Sequence, residues 1–263
     1  RNSIRTNVTH DFGGKLLSTI TFNYNKTEGD LMVQGQSDFS PYFHVLNIPR
    51  DISVLEQKDL NNKFNTPENY FGAYYQNPYW LIANQKNTNN VDRFNTNITL
   101  DYKPIDWFTL TGRLGADVYT DSRYQKWRKY SFINQDLEKV YIGRYSEDVY
   151  QVNEINADVI ARFAKTFKDK YSISALVGTN IYTRKVKRTY GESAGLALED
   201  LYSFENSAGR PTLKNELINR RIAGVYFDVN FGYKNLFFLD VTGRNDWSST
   251  LPTNNRSYFY PGV

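Results

Sequence analysis

Charged and amide side chains recur at every second position in several stretches of this chain. Arg93, Asn95, Asn97, Thr99 and Asp101 alternate with Phe94, Thr96, Ile98, Leu100 and Tyr102. Arg113 and Asp117 alternate with Leu114, Ala116 and Val118, and Glu154, Asp158 and Arg162 with Ile155, Ala157, Val159, Ala161 and Phe163. Asp228, Asp240 and Arg244 alternate with Val225, Phe227, Val229, Leu239 and Val241. Successive side chains of a strand point to opposite faces, so each stretch reads as a strand with one polar and one apolar face. The polar set Arg93, Asn95, Arg113, Asp117, Glu154, Asp158, Arg162, Asp228, Asp240 and Arg244 would then line a wet wall. Paired acids such as Asp117 and Asp158 have the residue types of a glycosidase. Sharing a face with Arg113, Arg162 and Arg244, they read instead as a ladder of compensating charges.

Other catalytic chemistry is sparse. The histidines are His10, beside Asp11 at a hairpin turn, and His44, in a long loop with no motif around it. A nucleophilic triad needs a histidine held by a carboxylate, and neither has that context. No HExxH, phosphate loop or calcium loop occurs, and there is no cysteine. The expectation is a non-enzyme without cofactor or metal. The other candidate groups are loop aromatics: Tyr74, Tyr75, Tyr79 and Trp80 in one loop, Trp127 and Tyr130 in the next, and Trp247 at a strand end. Flat rings above a polar lumen can stack on sugar faces or grip peptides, and rings in large loops can equally build a small core of their own.

The strands that must position these groups pair as hairpins. Strands at residues 3–11 and 15–27 join at Phe12-Gly13-Gly14-Lys15, and the stretches before and after Lys103-Pro104-Ile105-Asp106 form a second hairpin. A third spans residues 150–188 around Lys168-Asp169-Lys170, and a fourth residues 218–249 around Lys234-Asn235. Residues 28–91, 122–149 and 189–217 are long, polar connections, with short helices expected from Asp51 to Phe64 and from Leu196 to Phe204. Short turns and long loops therefore alternate, which gathers the turns at one end of a meander and the loops at the other. Outer-membrane barrels have this asymmetry; a Greek-key sandwich has no reason for it. Aromatics such as Tyr102, Trp107, Phe108, Phe163, Tyr171 and Tyr233 band the turn end, as an interfacial girdle would.

Composition is consistent with this reading. With 40% hydrophobic residues and a mean hydropathy of −0.61, no run approaches the ~20 apolar residues of a membrane helix. Barrel strands carry only half an apolar pattern and escape that test. The net charge of +4 is dispersed without a basic block, so no nucleic-acid partner is expected. Arg1 already sits at a strand edge and a strand starts at Tyr258, so both ends read as cuts in a longer protein.

Gly243-Arg244-Asn245-Asp246-Trp247-Ser248-Ser249, then Asn255-Arg256 and Tyr258-Phe259-Tyr260-Pro261, resembles the late-barrel signature of SusC/RagA-like TonB-dependent outer-membrane transporters. Trp247 stands where that pattern has a small residue. Asn77-Pro78-Tyr79-Trp80, Arg93-Phe94, Tyr102-Lys103-Pro104 and the stretch from Gly195-Leu196 to Phe204 are also similar to that family. The resemblance implies an all-β chain, residues 1–263, forming about eight antiparallel strands of a barrel of 22, with plug, TonB box and terminal strands absent. It implies a bacterial outer-membrane location and import of glycans or oligopeptides. The implied partners are a SusD-like lipoprotein, the TonB complex through the missing plug, and outer-membrane lipid. The alternatives are a complete eight-stranded barrel of structural role and a soluble β-rich carbohydrate-binding module.

Overall fold

The computed structural model describes residues 1–263 apart from Gln34, Ala73, Tyr74, Gln135, Asp136 and Asn235, and apart from the side chains of residues 132–139. The strands are β1 (Asn2–Asp11), β2 (Leu16–Asp30), β3 (Gln85–Ile105), β4 (Phe108–Trp127), β5 (Tyr130–Asn134), β6 (Leu137–Tyr141), β7 (Arg144–Phe167), β8 (Tyr171–Glu192), β9 (Thr212–Tyr233), β10 (Phe237–Ser248) and β11 (Ser257–Gly262). Two short helices, α1 (Pro41–Asn47) and α2 (Pro78–Asn84), lie between β2 and β3.

Among the described residues, nine strands form one antiparallel meander in the order β1-β2-β3-β4-β7-β8-β9-β10-β11, and β5-β6 is a separate small hairpin. The sheet is open: β1 and β11 sit at its opposite edges rather than against each other. This corrects the eight-stranded closed barrel.

The register carries the alternation across the whole sheet. Val8, Ile20, Ile98, Leu114, Ala157, Ile181, Ala223 and Trp247 stand opposite one another in turn, an unbroken apolar row over eight strands. One residue along, on the other face, Thr99, Arg113, Asp158, Asn180, Gly224 and Asp246 stand in turn, a polar row interrupted by Gly224. A slip of one residue in any strand would break both rows. On β8 the apolar set runs from Tyr171 to Ile181. Ten steps of ~3.3 Å at a tilt of about 40° give roughly 25 Å, the height of a barrel's lipid-facing band.

The turns are built as expected. Gly13 and Gly14 both have φ of 75°, which the hairpin connection demands, and the Asp11 carboxylate accepts from the Gly14 N–H at 2.6 Å. Lys168 and Asp169 have φ of 51° and 50° in the third turn. Asn235 of the fourth lies outside the described residues. β3 runs through Pro104 as far as Ile105, with a register shift after Tyr102; proline is tolerated at such an irregularity. Trp107, Phe108 and Phe163 cluster at this end, with the Phe108 and Phe163 centroids 4.8 Å apart.

Two expectations are corrected. The strands of the second to fourth hairpins extend well past the alternating stretches, so the connections shrink to residues 31–84, 128–143 and 193–211. Beyond the apolar band the strands pack partly against the loops, as Tyr145 does against Phe204 and Trp127 against Phe39, and hydrophobic alternation no longer marks a strand. The helices expected from Asp51 to Phe64 and from Leu196 to Phe204 do not form. The first region holds single 3-10 turns at Leu55–Lys58 and Lys63–Asn65, and the second a bridge from Leu196 to Ser207 with a 3-10 turn at Phe204–Asn206. Instead α1 and α2 form where Ser40 and Asn77 cap, each followed by proline at the first helical position.

Candidate functional site

The polar face of the sheet brings the charged residues into pairs. The Arg93 guanidinium is bonded to the Asp117 carboxylate, with Nε to Oδ1 at 2.8 Å. Arg113 Nε reaches Asp158 Oδ2 at 3.4 Å, and the Asn180 amide donates to both Asp158 and Asn156 at 2.8 Å. Arg162 donates to Thr111 Oγ1 at 3.0 Å, and Thr111 in turn donates to Asp101 at 2.5 Å. Asn230 donates to Asp228 at 2.9 Å. Asp240 lies opposite Asn230 on the same face and is exposed. Arg244 is bonded to Asp246 at 2.7 Å and lies over the Tyr226 ring, 5.4 Å from its centroid. Tyr226 stands opposite Gly178, where a Cβ would meet the ring at 2.4 Å, so glycine is what lets the tyrosine lie flat on the wall. All ten polar residues expected on one face are on one face.

Several partners were not foreseen. Glu154 is held by Arg184 at 2.7 Å and by the Tyr182 hydroxyl at 3.2 Å. Towards the loops, Arg188 bridges Asp148 at 2.8 Å and Glu216 at 3.4 Å. Tyr150 carries the guanidinium of Arg188 at 5.1 Å and that of Arg123 at 5.3 Å over its ring. The signal was available: Asn180, Tyr182, Arg184 and Arg188 continue the even-numbered face of β8. Isolated carboxylates are scarce on this wall, and among the described residues no group of acidic or histidine side chains is arranged to hold a metal. Dense in donors and acceptors, it can hydrogen-bond hydroxyls and amides.

The loop aromatics fare differently from one another. Trp80 and Tyr130 are 6% and 5% exposed; with Tyr70 and Leu81 they form a core shared by the long loop and the β5–β6 hairpin, against which Leu60, Tyr75 and Tyr141 pack. Trp80 and Tyr130 are 4.5 Å apart at their centroids, and Tyr130 stacks on Tyr141 at 4.6 Å. Both rings are thus packed inside the folded loops rather than laid open at their surface. Tyr75 and Tyr79 are half-buried. Trp127 carries Phe39 at 4.3 Å and the Arg144 guanidinium at 5.1 Å, and its indole N–H donates to Asn87 at 2.8 Å. It lines a cleft of about 380 Å³ with Phe39, Arg128, Tyr141, Arg144 and Glu192 on the polar side. Trp247 lies opposite Ala223 in the apolar row, because it shares the parity of Val241. Tyr74 lies outside the described residues.

A polar network holds the long loop together. The Asn77 amide donates to the Gln57 and Asn65 carbonyls at 2.8 and 2.9 Å while its oxygen caps Tyr79 N–H at 3.0 Å. The Tyr70 hydroxyl donates to Gln57 at 2.5 Å and that of Tyr130 to Gln76 at 2.7 Å; burial pushes both phenols up from their ordinary range. His44 is 1% exposed. Its Nε2 donates to the Asp38 carbonyl and its Nδ1 accepts from the Gln76 N–H, both at 2.9 Å. This fixes a neutral imidazole, and burial lowers its pKa.

No protein-family model matches the chain. It is 22% identical over 222 residues to the TonB-dependent receptor P26 of Formosa agariphila, covering 81% of this chain and 22% of that receptor. It is similar in structure to the RagAB peptide transporter, with a TM-score of 0.77 at 19% identity over 98% of this chain and 29% of that one. The RagAB peptide importer in its open-open and closed-closed states matches with TM-scores of 0.75, at 19% and 20% identity, over 98% of this chain and 28% and 29% of those chains. The chain thus spans between 22% and 29% of the length of these relatives. Its fold is that of a barrel segment of a TonB-dependent transporter, and the resemblance read in the motif from Gly243 is borne out. The relatives are a receptor and a transporter, not enzymes.

Proposed function

We propose that this chain is part of the barrel wall of a TonB-dependent outer-membrane importer of oligopeptides or glycans. The observation that carries the reading is the pair of rows running through the sheet: apolar on one face, charged and amide-bearing on the other, with turns at one end and long loops at the other. Such a sheet separates lipid from an aqueous lumen. The ten polar residues, with Arg184, Arg188 and Tyr182, would line the lumen, and those nearest the loops would meet substrate or plug. Tyr75, Tyr79 and Trp127 remain the candidate rings at the substrate end. A SusD-like lipoprotein would close over the loops, and TonB would act through the plug region of the whole protein. The peptide cargo named for the RagAB structures favours oligopeptides among the two substrate classes. The test is uptake of a labelled oligopeptide mixture and of a labelled oligosaccharide by cells with and without the full-length protein. Uptake of one of them that depends on the protein and stops with a protonophore is expected. Protein-independent uptake of both would contradict the reading.

A further inference from the structure

On the apolar face, the row that crosses the sheet runs through Ile181 on β8 and Ala223 on β9, which stand opposite each other; further out on the same face of β9, Leu217 and Leu213 are exposed, with Leu217 opposite Lys187. Beyond Ile181 and Ala223 this border turns basic. Towards the loops, Arg221 lies two residues beyond Ala223, and Lys185 and Lys187 lie four and six beyond Ile181; all three are exposed. The register sets Arg221 opposite Thr183 and Lys185 opposite Asn219, so Arg221 and Lys185 are diagonal neighbours, about 7–8 Å apart at Cα. None of the three makes an ion pair among the described residues. The nearby carboxylates Asp148, Glu154 and Glu216 project from the opposite face, where Arg184 and Arg188 hold them. Elsewhere on the same border the charge is balanced, since Lys26 of β2 stands opposite Asp92 of β3.

We propose that Arg221, Lys185 and Lys187 form a site for the phosphate-bearing headgroup of a membrane lipid. The proposal rests on the reading that this face meets lipid. β8 and β9 are interior strands with a hydrogen-bonded neighbour on each side, so no strand of the same sheet can cover them. At a tilt of about 40°, two residues rise roughly 5 Å and four roughly 10 Å. The headgroup layer adds about 5–7 Å on each side of the hydrocarbon, and lysine can lean its ammonium back towards it. Trp247 lies opposite Ala223 at the same border and is 44% exposed, where an indole marks the headgroup level. An acidic protein could meet the same charges. The lipid is favoured because the cations start directly above the apolar row, beside Trp247, and not on the loops.

The test uses the full-length protein, folded in detergent and checked for heat-modifiable migration. Native mass spectrometry would measure retention of lipid A, a phosphorylated glycolipid, and of phosphatidylcholine, with inorganic phosphate as a separate probe. The wild type is expected to retain lipid A in preference to phosphatidylcholine. The triple variant K185Q/K187Q/R221Q should bind lipid A at least tenfold more weakly, since each cation near an anionic lipid surface is worth about fivefold. K26Q should bind as the wild type does. Equal binding by wild type and triple variant, an equal loss in K26Q, or equally tight binding of inorganic phosphate alone would overturn the lipid site. A wild-type protein that does not insert into bilayers would overturn the barrel reading with it; one that inserts but shows no preference would overturn this inference alone.

Discussion

Glu154 on β7 and Arg184 on β8 stand directly opposite each other on the polar face, joined at 2.7 Å between Arg184 Nε and Glu154 Oε1. Both side chains are partly exposed, at 30% and 42%. Water screens such a pair, so its net worth is about 0.2–1 kcal/mol. The pair lies midway along β7, on a face otherwise rich in hydrogen-bonding groups.

E154Q and R184Q in the full-length protein should therefore each change unfolding free energy by under about 1 kcal/mol. A double-mutant cycle by urea unfolding in detergent measures this. A coupling of several kcal/mol would mean that the pair is a desolvated strut, and the lumen at that height is dry.

The strands and their faces were legible in the sequence because alternation is a two-fold signal that every strand repeats. Val225 to Val229 and Leu239 to Val241 carry it without a break. The strand ends were not legible. From Asp121 to Trp127 and from Arg144 to Asn153 both faces meet water or loops, so no hydrophobic period marks them. The loop was half legible: Ser40-Pro41 and Asn77-Pro78 are helix starts that local chemistry announces. The region from Asp51 to Phe64 has helix-like spacing but is held as separate turns by Asn65 and Asn77, whose amides bind carbonyls 6 to 20 residues away. Such long-range hydrogen bonds leave no local trace. For the candidate rings, type and place in the loop could not separate Trp80, which is core, from Tyr79 one residue along, which is half-buried.

That separation predicts different phenotypes. Trp80→Ala removes a buried ring and should cost the loop about 3–5 kcal/mol, seen as rapid proteolysis between β2 and β3 in the intact protein. Tyr79→Ala should leave the loop resistant and, if the ring meets substrate, weaken binding several-fold at ~0.5–1.5 kcal/mol per ring contact. Equal protease sensitivity of the two variants would contradict the core assignment.

The loop should also sense acid. Burial holds the His44 imidazole below the ordinary histidine range, against the smaller opposing pull of Asp38. Unfolded, it titrates near about 6.5. The unfolded loop then binds the proton more readily, so the loop keeps its full stability above that pH. It loses stability as pH falls from about 6.5 through the lower folded value. Protonation also removes the acceptor that Nδ1 offers to Gln76 N–H. Proteolysis of the 31–84 loop should accelerate below pH 6.5, and His44→Gln should flatten the profile. An unchanged profile in that variant would remove His44 as the cause.

The open sheet predicts dependence on the rest of a barrel. β1 and β11 each leave one edge unpaired within this chain, and in lipid each unsatisfied backbone group costs several kcal/mol. Residues 1–263 expressed alone should not yield a heat-modifiable monomer in detergent. Recovery of such a monomer, resistant to protease, would show that the sheet can close on itself.

The most direct measurement of the central claim, that this sheet divides lipid from a wet lumen, is cysteine accessibility along β9. Single cysteines would be placed in turn at Val225, Tyr226, Phe227, Asp228 and Val229 of the full-length protein in outer membranes. Each would be challenged with a water-soluble and a lipid-soluble thiol reagent. The structure predicts strict alternation, with lipid-phase labelling at 225, 227 and 229 and aqueous labelling at 226 and 228. Aqueous labelling at all five positions, or lipid-phase labelling at 228, would contradict it.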